Sequence, residues 1–146
     1  MDFAYPRPQL ERNGWTSLNG TWNFLFDPDR RFERPSDITE WPLKIQVPFP
    51  PESAASGIKD TGFHPVCWYS RDFEVQAGDG RILLHFGAVD YSAKVWVNGI
   101  VVANHEGGHT PFTADITGAL DPSGRQTVTL LVEDDPHDLA KPRGKQ

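Results

Sequence analysis

The chain of 146 residues has a single cysteine, Cys67, so neither an intrachain disulfide nor a multi-cysteine zinc site can form. No stretch approaches the roughly 18 consecutive apolar residues that a membrane-crossing helix needs. The opening residues, MDFAYPRPQLERNGW, carry neither the basic start nor the apolar run of a secretory signal. Positive charge is also short: 14 Lys and Arg stand against 20 Asp and Glu, a net charge of −6, and no Lys/Arg run makes a local exception. Phosphate backbones and anionic bilayers attract the opposite balance. The sequence therefore predicts no nucleic acid partner, no membrane partner and a cytoplasmic protein. Helical periodicity is scarcely visible.

What is present is aromatic and punctuated. Thirteen Gly and thirteen Pro make about 18% of the chain, more than ordinary usage but below the roughly 25–30% of low-complexity sequences, and the 12% of aromatic residues argues for a packed core. The length suits one domain. Apolar residues recur with period two in short runs between Pro, Gly, Asn and Asp, the pattern of half-buried strands joined by tight turns. Trp22, Phe24 and Phe26 fall on one face of 20–26, with Asn23 and Leu25 on the other. Residues 45–47 form a short strand cut off by Pro48, and 67–75 alternates again. The denser run 81–86 reads as a strand covered on both faces. In KVWVNGIVVA, 94–103, two β-branched runs flank Asn98 and Gly99, both tolerant of the positive φ that a type I′ turn requires, so a hairpin is expected. A short strand at 112–116 with a turn at 115–118, and a last strand at 127–132, complete at least seven strands. That is an all-β jelly-roll sandwich with Greek-key connections.

Two stretches break the rhythm. Residues 49–65 form a Pro- and Gly-rich loop long enough to be functional. The final EDDPHDLAKPRGKQ, 133–146, is polar and ends without a closing element, which reads as a chain cut before its next domain.

Several side-chain groups invite a chemical reading. His105 and His109 have the spacing that places two metal ligands on one side of a helix, but Gly107, Gly108 and Pro111 disfavour a helix there, so a turn with hydrogen-bonded or solvated histidines is expected and no metal. Glu133, Asp134, Asp135 and Asp138 match no calcium loop and read as a solvated acidic turn. Indole faces can stack on sugar rings. Trp22 and Trp68 lie in alternating strands and belong to the core, whereas Trp96, with Lys94 and Asn98 on its strand face, is open to either role. No nucleophile elbow or phosphate loop is present.

Five segments, in order, resemble the amino-terminal domain of glycoside hydrolase family 2, the family of β-galactosidases, β-glucuronidases and β-mannosidases. They are YPRPQLERNGWTSLNGTWNF (5–24), WPLKIQVPFPPESAASGI (41–58), CWYSRDFEV (67–75), FGAVDYSAKVWVNGIVVANHEGGHTPFTADIT (86–117) and VEDDPHDLAKPRGKQ (132–146). The resemblance implies a galactose-binding-like jelly roll over 1–132, with 133–146 as an exit segment toward an immunoglobulin-like domain and a TIM barrel. It places both catalytic glutamates of a retaining hydrolysis on that barrel, so no catalytic residue is expected here, and no cofactor. Carbohydrate is the implied substrate of the whole enzyme, with a homo-oligomer as possible assembly. In relatives the loop after the VP segment and the segment after the last strands approach the sugar, which makes Gly57, Ile58, His64, Asp138 and Arg143 the candidate substrate-lining residues. The loop lacks the Asn that bacterial β-galactosidase places there, so galactose specificity has no support. Asn98 and Gly99 serve the turn. Two other readings stay open: a free-standing carbohydrate-binding module, and a structural oligomerisation domain.

Overall fold

In a computed structural model of the chain, the described residues are 9–11, 15–47, 57, 66–78, 80–87, 92–107 and 110–133. Among these described residues ten strands follow one another: β1 Gln9–Glu11, β2 Trp15–Ser17, β3 Gly20–Phe26, β4 Leu43–Val47, β5 Val66–Glu74, β6 Leu83–Phe86, β7 Ser92–Val97, β8 Ile100–Glu106, β9 Phe112–Asp115 and β10 Arg125–Glu133. The helical content among these residues is two short 3-10 turns, Pro35–Asp37 and Thr117–Ala119. The strands form a four-stranded sheet, β2-β1-β6-β9, and a six-stranded sheet, β4-β3-β5-β10-β7-β8. Every pairing between them is antiparallel.

The alternation along the strands decides what lies between the sheets. Trp22 and Phe24 of β3, Ile45 and Val47 of β4, and Tyr69 and Phe73 of β5 point inward with the alternate residues of β10 and β7. They meet Ile82, Leu84, Phe86 and Ala114 from the other sheet in one buried cluster. Trp22 is 1% exposed and its indole N–H donates to the Leu18 carbonyl at 2.7 Å, which disposes of the one polar atom that ring brings into the core. Cys67 is buried in the same cluster. The run 81–86 differs from the expectation of double coverage. Ile82, Leu84 and Phe86 are buried while Leu83 and His85 are only half-buried, because β6 belongs to the four-stranded sheet and has the core on one side of it.

The outer face of the six-stranded sheet carries a second, smaller core. Leu25, Trp68 and Trp96 project there and are covered by the segment 27–42, hereafter the strap, through Ile38, Phe32 and Trp41. Trp68 and Trp96 stack at 5.3 Å between centroids with 24° between planes. The strap is anchored by Asp27, which is fully buried. Its carboxylate accepts from the backbone N–H of Arg31 at 2.8 Å and of Phe32 at 3.2 Å, and from the Trp68 indole at 3.3 Å. A buried carboxylate is tolerated only when its lone pairs are occupied in this way. Farther along, the Asp37 carboxylate accepts from the N–H groups of Glu33 and Arg34 at 2.9 and 3.2 Å and closes the strap's 3-10 turn.

The expected hairpin joins β7 to β8. Asn98 and Gly99 have φ of 53° and 82°, the two positive values that a type I′ turn demands. Ala93 to Val97 pair with His105 to Ile100, with a bulge between Val95 and Trp96.

Candidate functional site

Of the substrate-lining candidates, Gly57 is described: it is exposed in a turn at φ +88°, with open space where a Cβ would stand. Ile58, His64, Asp138 and Arg143 lie outside the described residues, as does most of the loop 49–65. Asn98 and Gly99 sit where the turn needs them, and Asn98 does more than turn the chain. Its Nδ2 donates to the Ala119 carbonyl at 2.9 Å and to Gln126 Oε1 at 2.7 Å, and its Oδ1 accepts from Thr127 N–H at 3.0 Å.

Gln126 is the centre of that network and was not singled out from the sequence. It is 1% exposed. Its Nε2 donates to the carbonyls of Val75 and Asp121 at 2.9 and 3.0 Å, while Oε1 accepts from Asn98 and from Asp121 N–H at 2.8 Å. A buried amide with both donors and both acceptor positions filled is a structural rivet, tying β10, the end of β5 and the hairpin together. Its signal in the sequence was its register: Gln126 falls on the strand face of Val128, Leu130 and Val132, one residue before the strand expected at 127–132.

The aromatic candidates resolve as packing residues. Trp22, Trp68 and Trp96 are at most 3% exposed. The even choice for Trp96 thus closes in favour of the core: its outward face lies beneath the strap, against Trp68, and the Lys94 ammonium sits 5.3 Å from its ring centroid. His105 lies in strand β8 and stacks on Phe112 at 4.3 Å, while Phe112 stacks on Phe86 at 4.7 Å. Gly107, at φ +117°, turns the chain directly after it, and Thr110 N–H closes that turn on the Gly107 carbonyl at 3.3 Å. His109 is outside the described residues. No group of three or more His, Cys, Asp or Glu among the described residues is placed to hold a metal ion.

Several carboxylates are similarly occupied. Glu133 departs from the expected solvated turn, because β10 continues through it and its carboxylate pairs with Arg30 of the strap. Asp37 is held below the ordinary carboxylate range by the backbone N–H of Glu33, Asp115 by the Thr117 hydroxyl, and Asp121 by the Ser123 N–H. A glycosidase acid needs the opposite shift, upward into the range where it keeps a proton near neutral pH. These three groups stay ionised and brace turns.

A cleft of about 490 Å³ runs between the strap and the β3–β4 edge, lined by the apolar residues Leu25, Phe26, Pro42 and Leu43. Arg31, Phe32, Thr39 and Glu40 of the strap complete it.

Fold and site together define an all-β sandwich domain whose buried polar network, with the carboxylates of Asp27, Asp37, Asp115, Asp121 and Glu133, is structural. Comparison with known proteins gives the family. Residues 32–135 match glycosyl hydrolases family 2, sugar binding domain, and the chain belongs to that family. It is similar to β-glucuronidase of Paenibacillus borealis, 36% identical over 135 residues, which cover 88% of this chain and 22% of that protein. It is also 36% identical to feline (Felis catus) β-glucuronidase, over 77% of this chain and 19% of that one. Among solved structures, Faecalibacterium prausnitzii β-glucuronidase superposes with a TM-score of 0.68 at 28% identity, covering 87% of this chain and 21% of the other. Ruminococcus gnavus β-glucuronidase in complex with D-glucuronic acid superposes at 0.67 and 25% identity, over 92% and 23%. The chain thus spans about a fifth of the length of these relatives.

Proposed function

We propose that this chain is the non-catalytic, amino-terminal sandwich domain of a retaining β-glucuronidase. The observation that carries the reading is the likeness to β-glucuronidase at 36% identity along 88% of the chain. The likeness favours glucuronides over the galactosides and mannosides that the family resemblance left open. In this reading the two carboxyls of the double displacement, about 5–5.5 Å apart across the scissile bond, belong to a downstream barrel reached through an immunoglobulin-like domain, and the whole protein assembles as a homo-oligomer. The sandwich acts as a rigid brace. Its stiffness comes from two buried faces on one sheet and from the Asn98–Gln126 network, and a rigid support is what keeps catalytic groups within the sub-ångström tolerance that hydrolysis requires. The loops nearest the sugar are those carrying Ile58, His64, Asp138 and Arg143.

The test is a comparison of 4-nitrophenyl β-D-glucuronide, β-D-galactoside and β-D-mannoside as substrates of the intact protein. The glucuronide should turn over fastest, with a β-configured sugar as first product. Preference for either of the other two would reject the glucuronidase reading.

A further inference from the structure

In an Asn–Gly pair the glycine nitrogen can attack the asparagine side chain before it, since glycine puts no Cβ in the way. The sequence holds three such pairs, at 13–14, 19–20 and 98–99. The first lies outside the described residues. At the second, Asn19 Oδ1 is buried without a hydrogen-bond partner. The third stands at the exposed tip of the β7–β8 hairpin, where solvent reaches the turn and the neighbouring Ile100 is 52% exposed.

At that third pair the carboxamide is nonetheless fully engaged, with Nδ2 on Ala119 and Gln126 and Oδ1 on Thr127. The Asn98 N–H also donates to the Thr127 carbonyl at 2.9 Å. Asn98 thus adds one rung to the β7–β10 ladder beyond Val97 and Val128, with its side-chain oxygen standing in for a backbone carbonyl. For the Gly99 nitrogen to reach Asn98 Cγ, the carboxamide must turn onto the chain that follows it, and all three of its hydrogen bonds break. The network therefore stands between a reactive pair and its reaction.

We propose that Asn98 is a deamidation site gated by opening of the hairpin from β10, and that its conversion bars the network from forming again. In the opened chain the Gly99 nitrogen bonds to Asn98 Cγ, the Cγ–Nδ2 bond breaks, and Nδ2 leaves as ammonia with the proton that the Gly99 nitrogen gives up. Water then adds to one carbonyl of the succinimide and opens the ring, giving aspartate or, when the chain runs on through Cγ, isoaspartate. Neither product fits. A carboxylate would face the Ala119 carbonyl and Gln126 Oε1, both of them acceptors. Turning the Gln126 amide over offers no rescue, because Oε1 would then meet the Val75 and Asp121 carbonyls and Nε2 the Asp121 N–H. Isoaspartate also lengthens the backbone of a two-residue turn. Time spent open is thereby written into the chain as a permanent defect. The proposal is independent of the glycosidase reading.

Peptide mapping of the intact protein by mass spectrometry, after incubation in mildly alkaline buffer with and without denaturing urea, tests it. Conversion at Asn98 should be at least about tenfold slower without urea, because the rate follows the population of the open form. Gln126→Met removes one acceptor of Nδ2, and conversion in native buffer should then rise severalfold while the circular dichroism stays that of the parent. Protein converted at Asn98, separated by ion exchange on its added negative charge, should unfold at lower urea than the parent, as should Asn98→Asp. Equal rates with and without urea, no conversion in urea, a parental rate in a folded Gln126→Met, or converted protein as stable as the parent would each overturn the proposal. Should Gln126→Met not fold, the two measurements on the parent chain decide.

Discussion

The two faces of the six-stranded sheet bury tryptophan by different means. The inner face meets a second sheet, so Trp22, Phe24, Ile45 and Tyr69 are covered by a layer as regular as their own. Among the described residues the outer face has only the strap, an irregular segment whose backbone N–H groups must be satisfied one by one, and Asp27 does this for Arg31 and Phe32 from a fully buried position. A regular layer excludes water through packing alone, while an irregular cover needs a charged anchor. It also leaves a cleft at its margin, lined in part by Thr39 and Glu40.

Substitutions on each face put that difference to the test. Trp22→Ala should cost about 3–5 kcal/mol in denaturant unfolding, and Trp68→Ala a comparable amount if the strap is a true second core. A loss below about 1 kcal/mol for Trp68→Ala would mean that the strap lies loosely on the sheet and that the two faces are unequal in kind. Asp27→Asn leaves an N–H donor facing the donors that the carboxylate served. It should destabilise by about 2 kcal/mol and speed amide exchange at Arg31 and Phe32 while leaving β5 and β10 protected. Uniform loss of protection would show that the strap is not a separate unit. Gly99→Val should lower stability by more than about 1 kcal/mol, because a β-branched residue resists φ of 82°. Unchanged unfolding would reject the turn assignment.

The smallest effect is electrostatic. Asp37, Asp115 and Asp121 have folded pKa values below the ordinary one, so the unfolded chain takes up their protons first as the pH falls. Their contribution is complete above the unfolded carboxyl pKa of about 4 and is lost as pH drops through the lowered folded values. Thermal stability should be flat near neutrality on this account and decline below about pH 4. Replacing all three by Asn should flatten that decline.

Much of this could be read from the residues. Period-two alternation gave β3, β5 and β10 nearly to their ends, and Asn98–Gly99 named the hairpin, because each is a local cause with a local effect. β1 and β2 were not anticipated: three residues each, they are too short for alternation to register. The strap escaped notice for another reason. Its anchors are long-range, with Asp27 reaching Trp68 and Arg30 reaching Glu133, and nothing in FDPDRRFERPSDITEW announces that Ile38 will cover two indoles from other strands. Trp96 could not be assigned for the same reason, since its cover comes from a segment more than fifty residues earlier. Gln126 fell one residue outside the strand expected at 127–132, although the period-two register puts it on the buried face.

The central claim is that this sandwich braces hydrolysis performed by carboxyls elsewhere in the protein. The most direct measurement is the turnover of 4-nitrophenyl β-D-glucuronide by the intact protein and by the 146-residue chain at equal molar concentration. The account predicts release of nitrophenol by the intact protein and none above the uncatalysed rate by the chain. Turnover by the chain alone would contradict it.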